Sequence, residues 1–150
     1  MIEPLDVVTR IVLALACGAM IGVEREWRQK YAGLKTMTLV SIGAAGFAMM
    51  SNTFGPLNHN PAQMAASVAG GIGFIGAGVI LNRGGTVEGV TTAATLWASA
   101  SVGVASGFGY YALATALTGA VLVVQIGFPF IERIIRPRRR PGGAITPPDS

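Results

Sequence analysis

Gly22-Val23-Glu24-Arg25-Glu26-Trp27-Arg28-Gln29-Lys30-Tyr31-Ala32-Gly33-Leu34-Lys35-Thr36 is the stretch on which the reading of this chain turns. It is a short, heavily charged segment between two long apolar ones, 7–23 and 36–54. Four of the eleven Lys/Arg residues lie in it between Glu24 and Lys35, Arg83 stands in a second gap, and five fall between Arg133 and Arg140. The polar stretches 55–62 and 107–109 carry no Lys or Arg. Basic residues in alternate gaps are what the positive-inside rule leaves in a multispanning chain. The expected topology puts 24–35, 82–90 and the C-terminal tail in the cytoplasm and the N-terminus outside.

Working outward, the apolar runs are Val7–Val23, Thr36–Phe54, Ala65–Leu81, Thr91–Ser106 and Tyr110–Phe130. Each is close to the length a helix needs to cross about 30 Å of hydrocarbon, the fourth being the shortest. The fold class is therefore all-α, a polytopic membrane helical bundle of five transmembrane helices. Residues 1–131 form the membrane domain, and 132–150 form a basic Pro/Gly-rich tail expected to be disordered over 137–150. Composition agrees: 51% of residues are hydrophobic and 12% charged, against about 25% charged in soluble domains. The net charge of +4 comes mostly from juxtamembrane arginines suited to anionic headgroups of the lipid bilayer, so no nucleic-acid partner is implied.

Cys17 is the only cysteine, which excludes an intrachain disulfide. Leu13-Ala14-Leu15-Ala16-Cys17-Gly18 loosely resembles a lipoprotein cleavage site, but Arg10 leaves too short an apolar region before it, and the first span reads as an uncleaved anchor. Cluster 55–62 is a turn, and its His59 reads as a solvated loop residue.

Gly71-Ile72-Gly73-Phe74-Ile75-Gly76 matches G-x-G-x-x-G, yet it lies inside an apolar span rather than between a strand and a helix, so no dinucleotide site is read from it. Ala65, Ala69, Gly73 and Ala77 recur every fourth residue, with Gly70 and Gly78 on an adjacent line. Small residues at that spacing let membrane helices approach closely, and they predict the third span as the packing axis of the bundle. Ala14, Gly18 and Gly22 repeat the pattern in the first span, and the same stripe reaches Arg10 and Asp6. Mid-membrane arginine costs about 2.5–3.5 kcal/mol on the insertion scale and strongly apolar residues return about 0.3–0.6 each. The Asp6–Arg10 pair is thus either a structural ion pair near the outer interface or part of a solute or proton path. Thr91, Thr95, Ser99 and Gly103, with Thr92 beside them, form a hydroxyl stripe that either bonds between helices or lines a wet path. Gln125 is expected to pair with a neighbouring helix. Glu24 and Arg28 are spaced for a helix-surface ion pair. With Asn82 and Glu88 they mark either a solvated charge cluster or a docking surface, and the carboxylates are too few for an assigned Mg²⁺ site. Gly22-Val23 and Gly33-x-x-Thr36 echo Gly78-Val79 and Gly89-x-x-Thr92 at an offset of 56 residues, either a hairpin duplication or a coincidence of common residues. No nucleophile–base pair or phosphate loop is present in the sequence, so no catalysis, metal or cofactor is assigned.

Gly22-Val23-Glu24-Arg25-Glu26, Ala32-Gly33-Leu34-Lys35-Thr36 and Leu39-Val40-Ser41-Ile42-Gly43-Ala44-Ala45 together resemble the first half of the MgtC/SapB membrane domain. Gly71 to Leu81, and Gly89-Val90-Thr91-Thr92-Ala93-Ala94-Thr95-Leu96-Trp97-Ala98, resemble its second half, and the likeness covers residues 5–125. The resemblance implies a multi-pass protein of the bacterial plasma membrane, linked to adaptation to low magnesium and acting by restraint of the F-type ATP synthase rather than by carrying magnesium. It marks Arg10, Glu24, Arg25, Gly33, Thr36, Thr91, Thr92 and Trp97 as family-important. Two departures stand out. Lys35 replaces the usual arginine and loses its bidentate fork. The chain ends in a short tail where MgtC proper carries a soluble domain, so it resembles the compact SapB-like members. The expected function is a non-enzymatic regulator acting through membrane-protein contacts. The alternative is a small transporter or channel, itself a homo-oligomer, using Asp6, Arg10 and the Thr91/Thr95/Ser99 stripe.

Overall fold

The computed structural model describes residues 3–51, 60–83 and 86–135; His59 and the tail from 137 lie outside them. The chain forms α1 (Pro4–Trp27), α2 (Leu34–Ser51), α3 (Pro61–Val79), a hairpin of β1 (Leu81–Arg83) and β2 (Thr86–Glu88), α4 (Val90–Gly107) and α5 (Tyr111–Ile135). Local chemistry sets the helix starts. Pro4 and Pro61 stand in the first turns of α1 and α3, where a missing N–H costs nothing. The Asn60 side chain caps α3 by accepting from the Gln63 amide at 3.0 Å. Gly89 begins α4 at φ 88°, a left-handed conformation that any side chain would strain, and a Cβ there would strike the Val79 carbonyl.

Helices α1, α2, α3 and α5 are long and apolar enough to cross a membrane. α4 is the exception, and its hydroxyls are the reason. They are tolerated because α4 runs through the centre of the bundle, packed against α1, α2, α3 and α5. Its Leu96, Val102, Ser99 and Ser106 are all fully enclosed. The core it organises is built from small residues, Cys17, Ala44, Ala100, Ala105 and Ala114, around Ile21, Met37 and Leu96. The helices consequently approach closely. A Cβ on Gly18 would come within 2.7 Å of the Ser41 Cβ, and one on Gly22 within 2.7 Å of the Leu34 Cα.

This corrects the expectation that the third span is the packing axis. Gly70, Gly73 and Gly78 have no atom within 4 Å of where a Cβ would stand, and Ala77 is exposed. Only Ile72 and Gly76 of α3 are buried, the latter against Ala93 of α4. Small-residue spacing marks a face fit for close approach without saying which helix uses it. The axis is α4, whose Gly103 and Gly107 press on the α2 backbone at Ser41 and Ala45. α3 meets α2 only sparsely, and between them lies an apolar groove of about 700 Å³ lined by Leu39, Phe47, Met64, Val68 and Ile75.

The hairpin at 81–88 was not anticipated. Its pairs are Leu81↔Glu88, Asn82↔Val87 and Arg83↔Thr86, antiparallel, in a segment read as a plain loop.

Candidate functional site

Two arginines of α1 grip the two ends of α4. Arg10 Nη1 donates to the Gly107 carbonyl at 2.7 Å, and Arg25 Nη2 donates to Thr92 Oγ1 at 2.6 Å. The arginines stand fifteen residues apart on α1, and their partners stand fifteen apart on α4. At the helical rise that is about 22 Å on each helix, so the antiparallel pair is in register from end to end.

The Arg10 end is the simpler. Arg10 Nη2 meets Asp6 Oδ2 at 2.6 Å, and Tyr111 at the start of α5 donates its hydroxyl to the other Asp6 oxygen. Ser106 donates to the Arg10 carbonyl at 2.7 Å. A cation at the C-terminus of α4 also complements the helix dipole. Every partner at this end is a helix terminus or a neighbouring helix side chain, so the Asp6–Arg10 pair serves to join α1, α4 and α5.

The Arg25 end differs. Arg25 is 3% exposed and Glu24 8%. Glu24 Oε1 pairs with Arg28 Nε at 2.5 Å, and the charges of Glu24 and Arg28 both act on Arg25. Arg25 faces the N-terminus of α4, the positive end of that dipole, so its position there is opposed rather than favoured by the helix. Glu24 supplies the compensating charge. Glu24 Oε2 and Arg25 Nε are nonetheless buried with no hydrogen-bond partner among the described residues. Two of the three buried charged-group atoms without a partner among the described residues gather here, the third being Arg10 Nε at the other end.

Beside it, Glu26 Oε2 accepts from the Leu34 amide at 3.0 Å and so caps α2 from eight residues upstream. Gly33 makes this possible, since a Cβ there would occupy the space of the Glu26 carboxylate. Thr36 is half-buried one turn on, and Lys35 is exposed. Thr91 is exposed at the head of α4, and Trp97 points outward, also exposed. The structure therefore brings Glu24, Arg25 and Thr92 together, joins Asp6 and Arg10 at the opposite end, and leaves Lys35, Thr91 and Trp97 on the surface.

Beyond the exposed Thr91, the hydroxyl stripe of α4 is spent inside the bundle. Ser99 donates to the Met37 carbonyl at 2.9 Å, and Thr95 donates back to the Thr91 carbonyl at 2.8 Å. Gly103 continues the stripe as a contact with Ser41. Gln125, expected to pair with a neighbouring helix, has neither amide atom bonded among the described residues.

Sequence reasoning missed Tyr111 as the partner of Asp6. It also missed Ser41, which donates to the Ala14 carbonyl at 2.8 Å, and Tyr31, whose hydroxyl donates to Glu88 Oε2 at 2.9 Å and ties the α1–α2 turn to the hairpin. Ser41 stands within the quoted motif, and its isolation between apolar residues was the available signal. Among the described residues no three His, Cys, Asp or Glu side chains gather as metal ligands would.

A polytopic α-helical membrane protein, with its least apolar helix at the centre and clamped at both ends by arginines from the first span, is the class these features define. Within that class the chain belongs to the MgtC family, whose model matches residues 11–134. It is 46% identical to the protein MgtC of Salmonella typhimurium over 119 residues, 79% of this chain and 51% of that protein. The protein MgtC of Brucella abortus is 39% identical over 134 residues, 89% of this chain and 56% of its own length. An uncharacterized protein of Synechocystis is 46% identical over 119 residues, covering 78% of this chain and 50% of that one. The chain thus spans about half the length of the curated relatives it matches. No solved structure matches it significantly.

Proposed function

We propose that this chain is a non-enzymatic regulator of magnesium and energy homeostasis in the bacterial plasma membrane, acting by helix–helix contact with a larger membrane complex. The observation that carries the reading is the unoccupied glycine surface. Gly43 and Gly46 of α2 and Gly70, Gly71, Gly73 and Gly78 of α3 all have open space where a Cβ would stand. Glycine inside a helix costs about 0.8–1.0 kcal/mol relative to alanine, and none of these six is required by packing among the described residues. Close approach of another helix backbone is the use that glycine serves and a lipid tail does not require. The family resemblance supports the magnesium connection and makes the F-type ATP synthase the first partner to test.

A photo-crosslinking residue at Gly73 or Phe74, the latter 86% exposed, tests this in native membranes. A specific membrane-protein partner is expected, together with a growth defect of the deletion strain confined to low magnesium. Recovery of lipid or self-adducts alone, with equal growth at every magnesium concentration, overturns the reading.

The transporter alternative draws on the same polar residues, but Ser99, Thr95 and Arg10 direct their donors into backbone carbonyls of the bundle. It predicts ion or solute flux in liposomes that Thr95→Val reduces.

A further inference from the structure

Five buried side-chain polar atoms lack a partner among the described residues: Arg10 Nε, Glu24 Oε2, Arg25 Nε, and both amide atoms of Gln125. Helix register puts four of the five, those of Glu24, Arg25 and Gln125, at a similar depth in the bundle. α5 packs against α1 and α4, and its inward line is Ala114, Thr118, Val121 and then Gln125. α1 and α5 run parallel, with Asp6 bonded to Tyr111 at one end. Counting down from that bond, Glu24 is eighteen residues along α1 and Gln125 fourteen along α5. At about 1.5 Å per residue the two differ by roughly 6 Å in depth, about one helical turn. On α4, antiparallel and fixed by the Arg25–Thr92 bond, the same level is the first turn.

Pro129 adds to the polar demand at this level. It lies inside α5 and has no amide hydrogen, so the backbone carbonyl four residues earlier loses its helical donor. That residue is Gln125. One stretch of α5 thus presents a freed carbonyl and an unpaired amide toward the level of a carboxylate oxygen and a guanidinium N–H that are themselves unpaired. The set is mixed: three acceptor atoms, Glu24 Oε2, Gln125 Oε1 and the Gln125 carbonyl, stand with two donor atoms, Arg25 Nε and Gln125 Nε2. Hydrocarbon satisfies none of them, and membrane helices meet such demand with neighbouring groups or ordered water. A water molecule, with two donors and two acceptors, suits this mixed set, and two to four polar partners are what a buried water requires.

We propose that Glu24, Arg25 and Gln125 line an internal hydration site, where water bridges α1 to the proline-broken turn of α5. Through it the grip of Arg25 on Thr92 is coupled to α5, and the bundle takes in water from the end carrying the α1–α2 turn. The inference is independent of the regulatory reading, because hydration is expected whether or not a partner exists.

The test uses the full chain in liposomes with Cys17→Ser, carrying Gln125→Cys or the outward-facing Val124→Cys. The probe is a charged, membrane-impermeant methanethiosulfonate. Labelling at 125 at least ten times faster than at 124 is expected, from one side of the membrane. Equal, slow labelling overturns the proposal. A second variant, Gln125→Leu, separates hydration from a dry orphan amide without relying on reagent access. Removing a dry unpaired amide raises the Tm, which refutes the site, whereas removing a water-bridged one lowers it.

Discussion

Replacing Gly103 with alanine adds one methyl group, and the structure allows its cost to be worked out. The new Cβ would overlap the Ser41 carbonyl oxygen, with the Ser41 C and Cα only 2.8 and 2.9 Å away. All three obstacles are backbone atoms, so no rotamer change relieves them, and α2 and α4 must separate. That separation reaches the neighbouring Ser99–Met37 hydrogen bond, which also joins these two helices. Overpacking of this kind costs about 1–3 kcal/mol, and backbone obstruction places Gly103→Ala toward the upper end. A loss of about 2–3 kcal/mol lowers the folded-to-unfolded ratio by roughly thirtyfold or more. Gly73→Ala is the control. Nothing lies within 4 Å of its Cβ, and alanine is the better helix former by about 0.8–1.0 kcal/mol. Thermal unfolding of the purified protein in nanodiscs should show Gly103→Ala melting several degrees below the parent and Gly73→Ala at or above it. Equal shifts for the two would refute the placement of α4 at the centre and α3 at the margin. In native membranes Gly73→Ala carries the opposite consequence, because a partner helix resting on that face would be displaced.

Further outcomes follow from the same contacts. Thr92→Val removes the hydroxyl that accepts from Arg25 Nη2, a hydrogen bond to a charged donor worth about 1.5–3 kcal/mol, and a double-mutant cycle with Arg25→Gln should return a coupling of that order. Arg10→Gln frees the Gly107 carbonyl and Asp6 together and should destabilise more than Tyr111→Phe, which removes one partly exposed bond; unfolding of both variants checks the order. Ser99→Ala should cost about 0.5–1.5 kcal/mol by leaving the Met37 carbonyl without its hydroxyl donor, and a neutral result would mean that the carbonyl is satisfied otherwise.

Much of the site's outline is legible in the residues. Asp6–Arg10 and Glu24–Arg28 are spaced four apart, and both form ion pairs along α1. Local spacing suffices for such pairs because both partners ride on one helix. Arg25 with Thr92 is a different case: both residues were marked, yet nothing in the sequence joins positions 67 apart. Gln125 shows the converse. Its amide signals a bond, and the fold supplies no partner for it among the described residues.

The sequence by itself determined that this chain is a series of long apolar segments and that charge collects between the first two of them. Those properties are set by neighbours along the chain and by transfer into hydrocarbon. Only the tertiary structure decided which helix occupies the centre and which small-residue face is used. α4 is less apolar than its neighbours because they shield its hydroxyls, and α3 carries a fuller small-residue pattern on a face left uncovered by the described helices. Lipid tails are as apolar as leucine, so a buried face and a lipid-facing one need not differ in hydrophobicity. The pattern shows that a face can be packed closely, and the arrangement of the other helices decides what packs there.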